Sequence, residues 1–324
     1  MPGIYQFDLG LNYADIGQVG AADYITSICY LGGESRDTKI VLIGTGDSAG
    51  HIYKSSDGCL TNGWVDKGQL GTSGAVDELC NCGNGKVFAG TVKIPGGGDV
   101  YYSTDYGENW SAATITNYSV DGYSGSVYLG NGVCLLGSNG GGRIQRSTNY
   151  GANWTYICQP VVGETLIFDF ADLGNSMVIA GTGANAYIIK SSDLGLTWVN
   201  KGRLGTNELA FTVVNLGGGI CLAGTGYATG QIYRSTDYGE TWSLIGRLGS
   251  ATSVYTIRYL GKGIVIAGTE PDAHVFRSVD YGLTWTDLGQ QSSQAAINIS
   301  LFIGDGITLL GTSTGGKILR SSAW

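Results

Sequence analysis

Ser235-Thr236-Asp237-Tyr238-Gly239-Glu240-Thr241-Trp242 is a phrase that the chain repeats along its whole length. Close copies are Ser103-Thr104-Asp105-Tyr106-Gly107-Glu108-Asn109-Trp110, Ser147-Thr148-Asn149-Tyr150-Gly151-Ala152-Asn153-Trp154, Ser191-Ser192-Asp193-Leu194-Gly195-Leu196-Thr197-Trp198 and Ser278-Val279-Asp280-Tyr281-Gly282-Leu283-Thr284-Trp285. A looser copy runs from Ser55 through Asp57 to Trp64, and a truncated one, Arg320-Ser321-Ser322-Ala323-Trp324, ends the chain. All seven tryptophans fall in these copies, in steps of 46, 44, 44, 44, 43 and 39 residues. A period near 44 residues is the signature of an array of supersecondary units.

The chemistry of the phrase is that of a tight turn entering a strand. Ser and Asp side chains accept hydrogen bonds from backbone N–H groups a little further on, Gly supplies a positive φ, and the aromatic anchors the outgoing strand. Asp57, Asp105, Asn149, Asp193, Asp237 and Asp280 hold the Asp place and are read as structural. Ser-x-Asp-x-Gly-x-Thr-Trp resembles the Asp-box, or BNR repeat, of sialidases and related β-propellers. That resemblance implies a propeller in which the box closes the turn between the third and fourth strands of a blade, away from the binding face.

Each repeat parses into four short strands. The first appears as 24–31, 75–82, 123–129, 166–173, 209–216, 254–260 and 296–303, and a second follows each after a Gly turn. The third carries the pattern of Ile232-Tyr233-Arg234-Ser235, and the fourth begins at the Trp. The expected fold is therefore all-β, a seven-bladed propeller of four-stranded blades, with residues 1–324 forming one domain. The stretch from Asp8 to Gly17 matches Asp193 to Trp198 with Tyr13 in the Trp place, so it is expected to supply the last blade's outer strand and close the ring on the strand from Lys317 to Ser322. Ile4-Tyr5-Gln6-Phe7 also resembles a third strand and has no evident seat.

The composition fits many short strands joined by glycine turns: 43% hydrophobic, 14% charged, with 56 Gly, 20 Tyr and four Pro. A net charge of −8 disfavours nucleic acid or an anionic membrane as partner, since no basic face is visible. Met1-Pro2-Gly3-Ile4 lacks the features of a signal peptide, and no run reaches membrane-spanning length, so no membrane insertion is expected. An extracellular or virion-associated location reconciles this with the frequent secretion of Asp-box proteins. Seven Cys cannot all pair internally. Cys134 and Cys221 stand where other repeats place apolar residues and read as buried thiols. Cys80 and Cys82 face one side of a strand, as packed thiols or a metal pair. His51 and His274 read as polar loop residues. No cofactor and no metal site are expected.

The fold resemblance implies a functional face built from loops that enter the first strand and loops that join the second to the third. The first set brings Lys67, Asp77, Glu78, Glu164, Arg203, Glu208 and Arg247, and the second Asp47, His51, Arg143, Tyr187, Tyr227, Glu270 and Asp272. A sialidase would need an arginine cluster, a tyrosine nucleophile paired with Glu and an acid/base Asp. The family's Arg-Ile-Pro signature is absent, with Lys93-Ile94-Pro95 as its echo. A paired-carboxylate glycosidase would draw on Asp77, Glu78, Glu164, Glu208, Glu270 and Asp272. A second phrase, Lys67-Gly68-Gln69-Leu70-Gly71, returns as Lys201-Gly202-Arg203-Leu204-Gly205 and Ile245-Gly246-Arg247-Leu248-Gly249. It reads either as a structural turn or as a set of sugar pockets offering Gln69, Arg203 or Arg247 beside Tyr187 and Tyr227. The sequence favours a non-catalytic recognition or scaffold protein whose ligand candidates are Gln69, Arg203, Arg247, Tyr187, Tyr227, Glu208, Asp77 and Glu270, with a glycan or a protein as partner. The alternatives are a sialidase-like glycoside hydrolase and a virion or assembly-factor component that binds other proteins.

Overall fold

A continuous apolar run such as Ile220-Cys221-Leu222-Ala223-Gly224-Thr225-Gly226, rather than an alternation, requires a strand covered on both faces. The computed structural model describes residues 13–33, 38–46, 49–93, 97–116, 121–206, 209–227 and 229–321, and the regular structure in them is all β-strand. In the repeat centred on that run, inner strand Leu209–Gly217 pairs with Ile220–Gly226, then Gln231–Ser235, then the outer strand Ser243–Arg247, all antiparallel. Cys221 packs with Ala171 and Ile179 of the preceding repeat, while Leu222 packs with Val254, Ile257 and Val265 of the following one. Both faces of the second strand are thus interior, and its apolar run follows.

The same antiparallel order recurs along the chain. The remaining inner strands are Tyr24–Gly32, Ala75–Gly83, Gly122–Tyr128, Leu166–Gly174, Ser253–Gly261 and Ile297–Phe302. Second strands such as Ile40–Gly46, Met177–Gly183 and Ile264–Glu270 carry a glycine where the next repeat's inner strand approaches. A β-carbon at Gly181 would lie 2.6 Å from the Ala210 carbonyl, and one at Gly224 2.8 Å from Val254 Cγ1. These glycines set the distance between repeats. The fold is that of a β-propeller.

The box works as its chemistry requires. Ser235 Oγ donates to Asp237 Oδ1 (2.7 Å) and accepts from Gly239 N (2.9 Å), while Asp237 accepts from Thr241 N (2.9 Å) and Thr241 Oγ1 (2.6 Å). Trp242 Nε1 then donates to Gly239 O at 3.2 Å. Tyr238 and Gly239 both sit at positive φ, +60° and +79°. In the looser first copy the order is reversed: Gly58 precedes Cys59, which donates its N–H to Ser55 Oγ and adopts φ +57°. Several boxes also reach a neighbour. A basic residue before the box Ser donates to the next box's backbone in three repeats, Lys54 to Tyr106 O, Arg146 to Leu194 O, and Arg234 to Tyr281 O, and Lys190 reaches the side chain of Glu240 instead.

One repeat departs from the four-strand expectation. After Trp110 the outer strand is cut to Ser111–Ala112, and the chain crosses to add Thr114–Thr116 in parallel to the outer strand Asn153–Cys158 of the next repeat. Ile115 lies opposite Trp154, which is thereby fully buried and meets Phe88 edge-on at 4.9 Å. The repeat that receives this strap therefore has five strands.

At the chain's start, Tyr13–Gln18 pairs antiparallel with Lys317–Ser321, in one sheet with Thr308–Thr312 and Ile297–Phe302. Lys317 Nζ meets Asp15 at 2.6 Å. The second copy of a third strand, Ile4 to Phe7, and Trp324 lie outside the described residues.

Candidate functional site

The inner strands of successive repeats splay too far apart for a backbone ladder along their length, so side chains span the gaps. Ser27 Oγ donates to Val76 O (2.6 Å), Ser124 Oγ to Ile167 O (3.0 Å), and Arg258 to Ser300 O through Nε (3.1 Å) and a terminal nitrogen (2.8 Å). Between these strands lies a cavity of about 710 Å³, lined along the strands from Thr26 to Tyr30 and by their counterparts in the other repeats.

Register places equivalent residues at one level of this cavity. The residue at the register irregularity that follows the pairing with the second-strand Thr or Ser is Thr26, Ser124, Phe168, Phe211, Tyr255 or Asn298, and in the second repeat the irregularity between Ala75 and Glu78 takes in Asp77. Three consecutive members are aromatic and form an arc, with ring centroids 4.9 Å apart for Phe168 and Phe211 and 4.7 Å apart for Phe211 and Tyr255. The second strands make room for it. Met177–Gly183 and Ile220–Gly226 end in glycines whose β-carbons would strike Phe168 and Phe211 at 2.7 and 2.8 Å. The next second strand ends in Glu270 instead, and Tyr255 donates its hydroxyl to that carboxylate at 3.0 Å.

Tyr227 stands beside this arc. It is 72% exposed and holds φ +92°, where the two preceding repeats place Ala184 at +89° and Gly140 at +93°. Its N–H donates to Ser253 Oγ. A bulky residue rarely occupies that conformation, and such strain concentrates at functional surfaces.

Carboxylates face the same cavity. Burial pushes Glu78 up to about 8, with Asp169 and Asp77 adding repulsion against a hydrogen bond from Ser126. Asp169 is raised to about 6 by burial even though it accepts from Val213 N and Thr212 Oγ1. Asp77 is raised to about 6 by burial alone and has no hydrogen-bond or ion-pair partner among the described residues. It is half-buried and lines the cavity. Arg258 is the cation of the lining; its own pKa is lowered by burial.

The sequence-derived candidates are divided by this geometry. Asp77 lines the cavity, while Glu270 and Tyr227 stand beside its lining residue Tyr255, Glu270 by accepting the phenol's hydrogen bond and Tyr227 close enough to act on it electrostatically. Gln69 Nε2 donates to Ser73 O, Arg203 to Thr206 O, and Arg247 to Ala251 O and Ser250 O, all within their own turns. The leucines of those turns, Leu70, Leu204 and Leu248, are buried. Tyr187 opens the strand Tyr187–Ser191 and donates its N–H to Thr182 Oγ1. Glu164 is buried and clasped by Thr182 Oγ1 and Asn185. Glu208 and Asp47 lie outside the described residues. Each His pairs with an Asp on the adjacent outer strand, His51 with Asp66 and His274 with Asp287, both at 3.0 Å.

Sequence reasoning missed Phe168, Phe211 and Tyr255, reading them as ordinary inner-strand residues. The signal was there: an aromatic at one register position in three successive repeats.

The sialidase pattern is not assembled among the described residues. Arg258 is the arginine of the cavity lining, and Arg143 donates to Gly140 O in its own loop. Burial and the adjacent Glu270 push the Tyr255 phenol up to about 12, the opposite of activation as a nucleophile. No group of three or more His, Cys, Asp or Glu among the described residues is disposed to hold a metal ion. No helix among them is long and apolar enough to cross a membrane. Cys82 and Cys134 bring their sulfurs to 3.5 Å, and both are buried.

Comparison with known proteins agrees with the architecture. The model of the BNR/Asp-box repeat matches residues 101–112 and 233–244, so the chain carries Asp-box repeats on a propeller. A structure of YCF48 bound to D1 peptide superposes with a TM-score of 0.73 at 16% identity, covering 99% of this chain and 100% of that one. YCF48 from Cyanidioschyzon merolae gives 0.71 at 12% identity, covering 96% of this chain and 98% of that one. The GH74 xyloglucanase from Xanthomonas campestris gives 0.72 at 14% identity, covering 97% of this chain but 54% of the enzyme. At these identities the likeness is one of fold. No curated protein sequence matches the chain, and none of these comparisons supports a virion protein.

Proposed function

We propose that the chain is a non-catalytic recognition propeller of seven blades, closed into a ring by its first strand, that holds an extended segment of a partner protein at the mouth of the central cavity. Closure is supported by contacts between the first and last repeats. Gly311 receives Ile25 as other second-strand glycines receive the next repeat, Lys39 meets Asp305 at 3.1 Å, and Arg320 Nε donates to Gly58 O as Arg234 does to Tyr281 O.

The observation that carries the function is the arc of Phe168, Phe211 and Tyr255, prolonged outward by the exposed, strained Tyr227. Rigid aromatics around a concave site are the anchors that recognition surfaces use. A peptide as ligand is consistent with the YCF48 likeness, in which a propeller of the same length is seen with a peptide bound. The rings also suit stacking on a sugar, so a glycan is the second reading.

Both readings are tested together. A random dodecapeptide library is panned over the immobilised full chain and over Phe211→Ala, and both proteins are applied to a glycan array. Enrichment of peptides by the parent, with at least tenfold weaker capture by the variant, is the expected result. Glycan binding lost in the variant selects the second reading, and loss of sugars from the array or failure of both screens overturns the proposal.

A further inference from the structure

The cavity that the arc lines is acidic, and one of its carboxylates has no partner among the described residues. Glu78 and Asp169 each serve the fold, Glu78 by accepting from Ser126 and Asp169 by accepting from Val213 N across the gap between inner strands. Asp77 does neither. It lines the cavity, half-buried, within the inner-strand irregularity that corresponds to the one holding the aromatic arc, and has no hydrogen-bond or ion-pair partner among the described residues. The lining's cation, Arg258, spends two donors on Ser300 O. With its carboxylates ionised, the cavity holds more negative than positive charge. A half-buried carboxylate that lines a cavity without a counter-ion is partly stripped of water, and an incoming cation offsets that cost.

We propose that the cavity receives a cationic side chain, the ammonium of lysine or the guanidinium of arginine, carried by the bound peptide, with Asp77 as its counter-ion. This rests on the recognition function proposed above and specifies its ligand. Phe168, Phe211 and Tyr255 line the same cavity as Asp77, so the rings can take the alkyl stem of a long side chain whose charged tip meets the carboxylate. Their faces attract a cation as well. Lysine and arginine meet both demands, a charge to pair with Asp77 and a stem to lie along rings. A neutral sugar meets the second alone.

Cation entry also moves a proton. Glu78, raised to about 8, is largely protonated at pH 7, and a positive charge nearby drives it toward ionisation, releasing a proton to solvent. The probe is acetyl-trilysine amide, titrated calorimetrically into the full chain at pH 7 and 150 mM salt in phosphate and in Tris, with acetyl-triglutamine amide and spermidine alongside. The expected result is that trilysine binds, triglutamine does not, and the two buffers report proton release. Asp77→Asn then weakens binding at least tenfold, and Glu78→Gln abolishes the release without altering the fold, checked by melting. Equal affinity in Asp77→Asn, or binding without proton release, overturns the proposal, because general attraction to a chain of net charge −8 would give that result. Spermidine binding with no binding of trilysine would overturn the assignment to a peptide. If library capture is lost in Phe211→Ala but unchanged in Asp77→Asn, with no basic residue enriched, the recognition function stands and this specification of it fails.

Discussion

Replacing Gly282 by Ala probes the contact between box and preceding blade. Gly282 has φ +80°, and an added β-carbon would sit 2.6 and 2.7 Å from the two methyls of Leu222, a fully buried residue of the second strand one repeat earlier. Two costs add. Holding an L-residue in the left-handed region costs about 1–2 kcal/mol, and forcing carbon into a packed interior costs about 1–3 kcal/mol. Gly261 separates them. It has φ +97° and nothing within 4 Å of its would-be β-carbon, so Gly261→Ala carries the backbone cost alone. At roughly 2.1 cal/mol/K per residue over 324 residues, the unfolding entropy is about 0.7 kcal/mol/K, so 1 kcal/mol moves the melting point by ~1.5 °C. Gly261→Ala should then lower Tm by about 1.5–3 °C and Gly282→Ala by about 3–7 °C. Scanning calorimetry at one scan rate, with urea unfolding as a check, measures both. Equal losses would refute the claim that the box glycine bears on its neighbour.

Other consequences are as definite. Tyr227→Gly relieves a positive φ and gives up a side chain that is 72% exposed, so stability should hold or rise by up to about 1 kcal/mol while peptide capture falls; a melting point lowered by several degrees would mark Tyr227 as structural instead. Stability against pH should be greatest near pH 4–5. Against the upward push of burial, hydrogen bonds from Asn109 in one box and Thr241 in another pull Asp105 and Asp237 down to about 2, so their contribution is present above the ordinary 3.8 and lost as pH falls toward 2. The cavity carboxylates run the other way: their contribution is complete below their ordinary pKa and is lost as pH rises through about 6 for Asp77 and Asp169 and about 8 for Glu78. Urea midpoints from pH 2 to 9 read both limbs, and Glu78→Gln should flatten the slope between pH 6 and 8. Ellman's reagent should find at most one accessible thiol in the native chain, Cys158, itself pushed up to about 11 by burial, and all seven after unfolding.

The repeat architecture was legible because its determinants are local. Ser235, Asp237, Gly239 and Trp242 make their bonds within eight residues, so a sequence phrase fixes a turn, and the glycine before each second-strand Thr reports where the next repeat must approach. The strap Thr114–Thr116 was not legible, since it keeps the 44-residue spacing and its parallel pairing with Asn153–Cys158 is decided by tertiary neighbours. The candidate site was half legible. Asp77, Tyr227 and Glu270 stand out as polar or aromatic residues near expected loops, whereas Phe168, Phe211 and Tyr255 look like core residues until register shows that they share one level of a cavity. Gln69 and Arg247 stand out in the sequence because they recur, and in the structure each donates to a carbonyl of its own turn.

We propose that the aromatic arc of the cavity holds a partner's chain. The most direct measurement is the equilibrium affinity of a library-selected peptide for the parent chain and for Phe211→Ala, with the fold of both verified by melting. Loss of one anchoring ring is expected to weaken binding by about 1–3 kcal/mol, roughly tenfold or more, while the variant still melts cooperatively. Identical affinities for two folded proteins would place the binding surface elsewhere and contradict the claim.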